Sequence, residues 1–122
     1  MHQVLCSIEG LVGHGTSLGW HIDTIVPFVA LPSRRALRHT LIVKNPANGL
    51  TVEAVVLDVG PWNEDDDAYV FGDSRPLSEQ GTGKYRSPTN HSGIDLGEYV
   101  RLALKVTGNT QVAWAFSTFP NM

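Results

Sequence analysis

Val55-Val56-Leu57-Asp58-Val59-Gly60-Pro61-Trp62 decides the fold class of this chain. The run up to Leu57 is apolar and β-branched, which suits a strand covered on both faces of a sheet. Gly60-Pro61 then ends the ladder, because proline has no amide hydrogen to offer a neighbouring strand. Asp58 therefore stands at the break. Just upstream, residues 41–44 and 50–57 are two β runs separated by Asn45-Pro46-Ala47-Asn48-Gly49. Asn-Gly supplies the positive φ angles that tight connections need, so the two runs are expected to pair antiparallel.

Toward the N-terminus, residues 20–31 read as a mixed segment with a short extended stretch leading into the turn at Pro32-Ser33. Residues 4–12 alternate loosely between apolar and polar and read as a first strand. The glycines of residues 13–19 lack the spacing of a dinucleotide fingerprint, and no helix pattern follows them, so they read as backbone adaptors in a loop. Toward the C-terminus, residues 63–92 are rich in Asp, Gly, Ser, Pro and Asn, with Ala68-Tyr69-Val70-Phe71 as the apolar cluster. A loop of that length is expected to be functional or mobile. Asp65-Asp66-Asp67 lacks the alternate spacing and central glycine of a calcium loop and reads as a solvated acidic tip. From Asp95 the pattern turns helical, with Leu96, Val100, Ala103 and Leu104 on one face and Glu98, Arg101 and Lys105 on the other. Asp95 and Glu98 have the capping-box spacing, Gly108-Asn109 is expected to end the helix, and residues 110–116 alternate Val112, Trp114 and Phe116 as a last strand.

The chain has 122 residues, 42% of them hydrophobic and 17% charged, with twelve glycines and seven prolines. That is enough for one core and too little for two ordinary domains, so residues 1–122 are read as a single turn-rich domain with an inserted loop at about 63–92. A net charge of −3, with basic residues scattered apart from Arg34, Arg35 and Arg38, gives no stripe able to neutralise many phosphates, so nucleic acid is not an expected partner. Cys6 is the sole cysteine, which excludes an internal disulfide and a cysteine-rich zinc site. No apolar run is long enough to span a bilayer, and the first residues lack the pattern of a secretory leader.

The hairpin, the Asp58-Val59-Gly60-Pro61-Trp62 corner and the Gly93-Ile94-Asp95-Leu96 segment together resemble the double-psi β-barrel domain, in particular the rare lipoprotein A group and, more distantly, expansins. Ala30-Leu31-Pro32 and the segment from Val43 to Gly49 also look like that group's approach to its hairpin. The resemblance covers residues 30–62 and 93–116. It implies a mostly β, six-stranded double-psi barrel with one or two short helices, and a cell-wall polysaccharide, peptidoglycan, as partner. It also implies a periplasmic or extracellular setting and, for some bacterial members, lytic transglycosylase activity. On that correspondence Asp95 is the acid and base, Asp58 is its companion, and Thr16 falls on a threonine of the group's N-terminal segment. The glutamate that follows that segment falls on Trp20, so one carboxylate of the bacterial pattern has no counterpart there.

The residues support that chemistry in their own terms. Glycoside hydrolysis uses two carboxyl groups, which Asp58 and Asp95 could supply. Lytic transglycosylation needs only one well-placed carboxyl, because a hydroxyl of the substrate attacks. Trp62, Tyr69 and Trp20 offer flat apolar surfaces for sugar rings, and His91, four residues before Asp95, is placed to tune the carboxyl or to bind substrate. The competing expectation is a non-catalytic barrel for glycan binding or protein assembly, with Asp95 as a helix cap worth about 1 kcal/mol and Asp58 bonding turn amides. No cofactor is expected. His14, His21, His39 and His91 lack the paired spacing of a zinc helix, so no metal is expected either. No Gly-x-Ser-x-Gly elbow is present, and Cys6 sits on a strand without an evident base, which disfavours a serine or thiol nucleophile.

Overall fold

A computed structural model describes residues 1–9, 25–81, 83–84 and 87–117. Six strands close into a mixed barrel: β1 (His2–Ile8), β2 (Phe28–Leu31), β3 (Thr40–Lys44), β4 (Thr51–Val59), β5 (Ser92–Leu96) and β6 (Gln111–Phe116). Around the ring their order is β1-β5-β2-β4-β3-β6. The pairs β1/β5 and β2/β4 are parallel, and β5 runs antiparallel to β2 where the two pairs meet. This is the mostly β, six-stranded double-psi barrel expected from the sequence.

The hairpin forms as its residues dictate. Thr40 pairs with Val55 and Lys44 with Thr51, and the Asn45 amide donates to the Leu50 carbonyl at 2.9 Å. Gly49 takes the positive φ of 78° that the turn requires. Asn45 and Asn48 both donate their side-chain amides to the Leu104 carbonyl, at 3.0 and 3.1 Å, which ties the turn to the end of a helix. Side chains alternate across the barrel wall. Val4, Cys6, Val29, Leu31, Ile94 and Leu96 enter the core, and the residues between them face outward.

Three of the helical expectations are corrected. The helix α2 spans Glu98–Leu104, and its N-cap is Gly97, while Asp95 is still in strand β5. The Asp95 side chain caps nothing, so its reading as a capping-box residue falls. A glycine is required at 97 because a Cβ there would lie 2.5 Å from Phe28 Cε1 and 2.8 Å from the Phe28 carbonyl oxygen. The helix also ends earlier than Gly108-Asn109, at Lys105 in the left-handed conformation. Its amide and that of Val106 close onto Leu102 and Arg101. Val100 and Leu104 are buried as expected, but Ala103 is exposed. Gly97→Ala is expected to cost about 3 kcal/mol, since the clash is with backbone as well as with a packed ring. A lower urea midpoint at unchanged slope would register it.

The segment 63–92 is not an open loop. It carries α1 (Asp67–Val70) and a 3-10 turn, Leu77–Gln80, and it docks on the barrel. Tyr69 and Val70 are buried in the core cluster. The Tyr69 hydroxyl donates to the Gly93 carbonyl at 2.9 Å and accepts from Trp114 Nε1 at 2.8 Å. Tyr69 therefore presents no face to a ligand, which corrects its expected role as a sugar platform: desolvated core packing, with its hydroxyl satisfied, has claimed the ring. The acidic triplet is corrected too. Asp66 is buried and accepts from the Leu77 amide at 2.8 Å, and Asp67 accepts from Ser33 and Arg35, so two of the three aspartates are structural. Among the described residues no helix is long and apolar enough to cross a membrane.

Candidate functional site

The strand registers bring four residues into one row across the barrel wall. Asp58 on β4 pairs with Ala30 on β2, Ala30 pairs with Asp95 on β5, and Asp95 pairs with Ser7 on β1. Each is the next-to-last residue of its strand. Two irregularities set this alignment. Between Val29 and Ala30 the register skips Leu57, and between Leu5 and Cys6 it skips Gly93. Such bulges re-aim side chains, and the first brings Asp58 opposite Ala30. With only a methyl group on Ala30 between them, the two aspartates influence one another electrostatically.

Asp95 lies at a groove of about 580 Å3 lined by Ser7, Ile8, Arg34, residues 59–64 and Asn90. Ser7 donates its hydroxyl to Asp95 Oδ1. Burial raises the Asp95 carboxyl, the Ser7 hydrogen bond pulls it down, and the Asp58 charge raises it again, leaving it at about 6. The close approach of Gly60 belongs to the same design, since a Cβ built there would lie 3.9 Å from Asp95 Oδ2. Asp58 accepts the amide of its strand neighbour Val59 at 2.9 Å.

A third carboxyl, which sequence reasoning missed, completes the cluster. Glu9 directly follows β1, and burial, a hydrogen bond to Asp58 and the charges of Asp58 and Asp95 push it up to about 9. At neutral pH Glu9 is thus a protonated acid donating to the Asp58 carboxylate. Its Oε2 is buried with no hydrogen-bond partner among the described residues. The signal available in the sequence was weak: one acidic residue at a strand end before glycines.

Trp62 forms one wall of the groove. Its backbone sits at φ 70°, a conformation rarely adopted by a bulky residue, and its indole Nε1 donates to Asn90 Oδ1 at 2.7 Å. Asn90 also accepts from the Ser92 amide at 3.1 Å and the Ser92 hydroxyl at 2.6 Å, and the Ser92 hydroxyl lies 2.9 Å from that of Ser7. Arg34 also lines the groove and is paired with Glu64, which Lys84 approaches at 3.9 Å. His91, at φ 69°, is exposed, and its neighbour Asn90 is what lines the groove. Trp20, Thr16, His14 and His21 lie outside the described residues. Cys6 faces the core, where burial raises its thiol, so it offers no nucleophile to the groove. Among the described residues no group of three or more His, Cys, Asp or Glu side chains is arranged to hold a metal ion.

A family described as "Domain of unknown function (DUF8814)" matches the chain over residues 1–84, more than half its length. The chain belongs to this family. The matched part of the DUF8814 sequence carries Ser7, Glu9, Arg34, Asp58 and Trp62, while Asn90, Ser92 and Asp95 lie beyond it. Among curated proteins none matches the chain.

Proposed function

We propose that this DUF8814 protein cleaves a cell-wall polysaccharide, with peptidoglycan as substrate, by lytic transglycosylation, and that it is related to the rare lipoprotein A group. The observation that carries this reading is the Asp95 carboxyl, set beside an aromatic wall and raised to about 6 by burial and by Asp58. A general acid works best when its pKa lies near the operating pH. Asp95 in its protonated form would give its proton to the glycosidic oxygen. Its carboxylate would then take the proton from the substrate hydroxyl that attacks the anomeric carbon. Asp58, hydrogen-bonded to Glu9 and close enough for its charge to act on Asp95, would stabilise the positive charge that develops on the sugar ring. Trp62 supplies a face for a sugar ring, and Asn63 and Asn90 supply amides for its hydroxyl or acetamido groups.

Incubation of the folded protein with purified peptidoglycan, followed by mass spectrometry of the soluble products, tests the reading. Anhydro-ended muropeptides are the expected result. Reducing ends would replace transglycosylation by hydrolysis, with Asp58 and Asp95 as the working pair. Absence of any released fragment would overturn cleavage of this substrate and leave a barrel that binds glycan or assembles with other proteins.

A further inference from the structure

The Asp95 carboxyl and the Trp62 indole are joined by an unbroken chain of polar contacts: Asp95 to Ser7, Ser7 to Ser92 at 2.9 Å, Ser92 to Asn90 at 2.6 Å, and Asn90 to Trp62 Nε1 at 2.7 Å. The chain is over-supplied with donors at one end. Asn90 Oδ1 faces the Ser92 amide, the Ser92 hydroxyl and the Trp62 indole, three donors for two lone pairs. Each serine has a single proton, so the direction of the hydroxyls decides which donors Asn90 receives.

When Asp95 is ionised it accepts from Ser7. The Ser7 oxygen is then open to the Ser92 hydroxyl, and Asn90 keeps two donors for two lone pairs, one of them Trp62. When Asp95 is protonated it becomes the donor to Ser7, Ser7 turns to Ser92, and Ser92 turns to Asn90. The third donor now competes with the indole.

We propose that Ser7, Ser92 and Asn90 form a hydroxyl relay through which the proton on Asp95 weakens the hydrogen bond from Trp62 to Asn90, so that the aromatic wall of the groove is held more tightly when Asp95 is ionised than when it is protonated. Ser7, Ser92 and Asn90 are positioning residues in this scheme. The other titratable and charged groups around Asp95 and the relay are Glu9 and Cys6 on or beside β1, Asp58 on β4, Arg34 and Glu64 on the groove wall, and His91 between Asn90 and Ser92. None of them is a link of the chain. The relay belongs to the site whether or not glycan is cleaved there; its use in gripping a sugar ring rests on the function proposed above.

The indole N–H signals in a 15N–1H spectrum of the full chain test the relay, with the Trp62 signal assigned by its loss in Trp62→Phe. As pH falls through the Asp95 transition, the Trp62 N–H is expected to move upfield as its hydrogen bond weakens. The movement should vanish in Asp95→Asn, in Ser92→Ala and in Ser7→Ala, and persist in Glu9→Gln. A Trp62 signal that does not titrate in the wild type would overturn the relay. So would one that still titrates in either folded serine variant, because the effect would then pass through space. A titrating indole in a protein that releases no glycan fragments would keep the relay and remove the lytic reading.

Discussion

Asp95→Asn is expected to lower the rate of glycan cleavage by about 10²- to 10⁴-fold, the usual worth of a positioned general acid and base, while leaving the barrel folded. The amide keeps the size of the carboxyl and an oxygen to accept from Ser7. What it lacks is the proton to give and the charge to take one back. Because burial and Asp58 raise the native carboxyl to about 6 from its ordinary 3.8, ionised Asp95 is a burden on the fold above that pH. The stability that protonated Asp95 contributes is therefore complete below about 3.8 and lost as pH rises through about 6, so the variant should be no less stable than the wild type at pH 5 and should hold its stability better toward pH 8. In the wild type, activity should fall as pH rises through about 6, because the proton needed by the leaving oxygen is lost. Equal cleavage rates for the two proteins, measured by fragment release under the same conditions, would remove Asp95 from the chemistry.

Stability itself should decline as pH rises, against the usual pattern for paired carboxylates, and Glu9 should be the main cause. Its folded pKa of about 9 lies far above the ordinary 4.5, so folding takes up a proton anywhere between the two. The stability that the protonated side chain contributes is complete below about 4.5 and is lost progressively as pH climbs through about 9. Within that window the slope approaches about 1.4 kcal/mol per pH unit for one such group. Urea midpoints measured from pH 5 to pH 9 should fall steadily in the wild type. Glu9→Gln, which can still donate to Asp58, should flatten most of the fall. A midpoint that is level or rising across this range would show that Glu9 is ionised in the folded protein and that the Glu9–Asp58 hydrogen bond does not hold a proton.

What could be read from the sequence was whatever the chain settles locally. Alternation located β6, the Asn-Gly turn fixed the β3/β4 pairing, and Gly60-Pro61 marked the end of β4, because each depends on neighbours a few residues apart. Asp95 and Asp58 were found as candidates through their segments, and Trp62 through its corner. The errors share a cause. Asp95 and Glu98 have the spacing of a cap, yet the pairing of Asp95 with both Ser7 and Ala30 holds the residue in a strand, and the contact of Gly97 with Phe28 sets where the helix begins. Tyr69 sits in a polar, unpatterned stretch, and only the fit of α1 against Trp114 shows that it belongs to the core. Glu9 becomes significant only through the strand crossing that carries Asp58 and Asp95 to it, a relation no local pattern encodes.

The position of β1 in the ring also governs how the molecule is made. That strand pairs with β5 on one side and β6 on the other, with Val4 opposite Val112 and Cys6 opposite Ile94. During synthesis β1 has no partner in the ring until β5 and β6 have followed, a wait of seconds at about 5–20 residues per second. The ring closes only after β6 has been made, so closure is governed by the most distant contacts in the ring and is slow for its size. A nascent chain stalled before β6 would leave the apolar side of β1 open to chaperones.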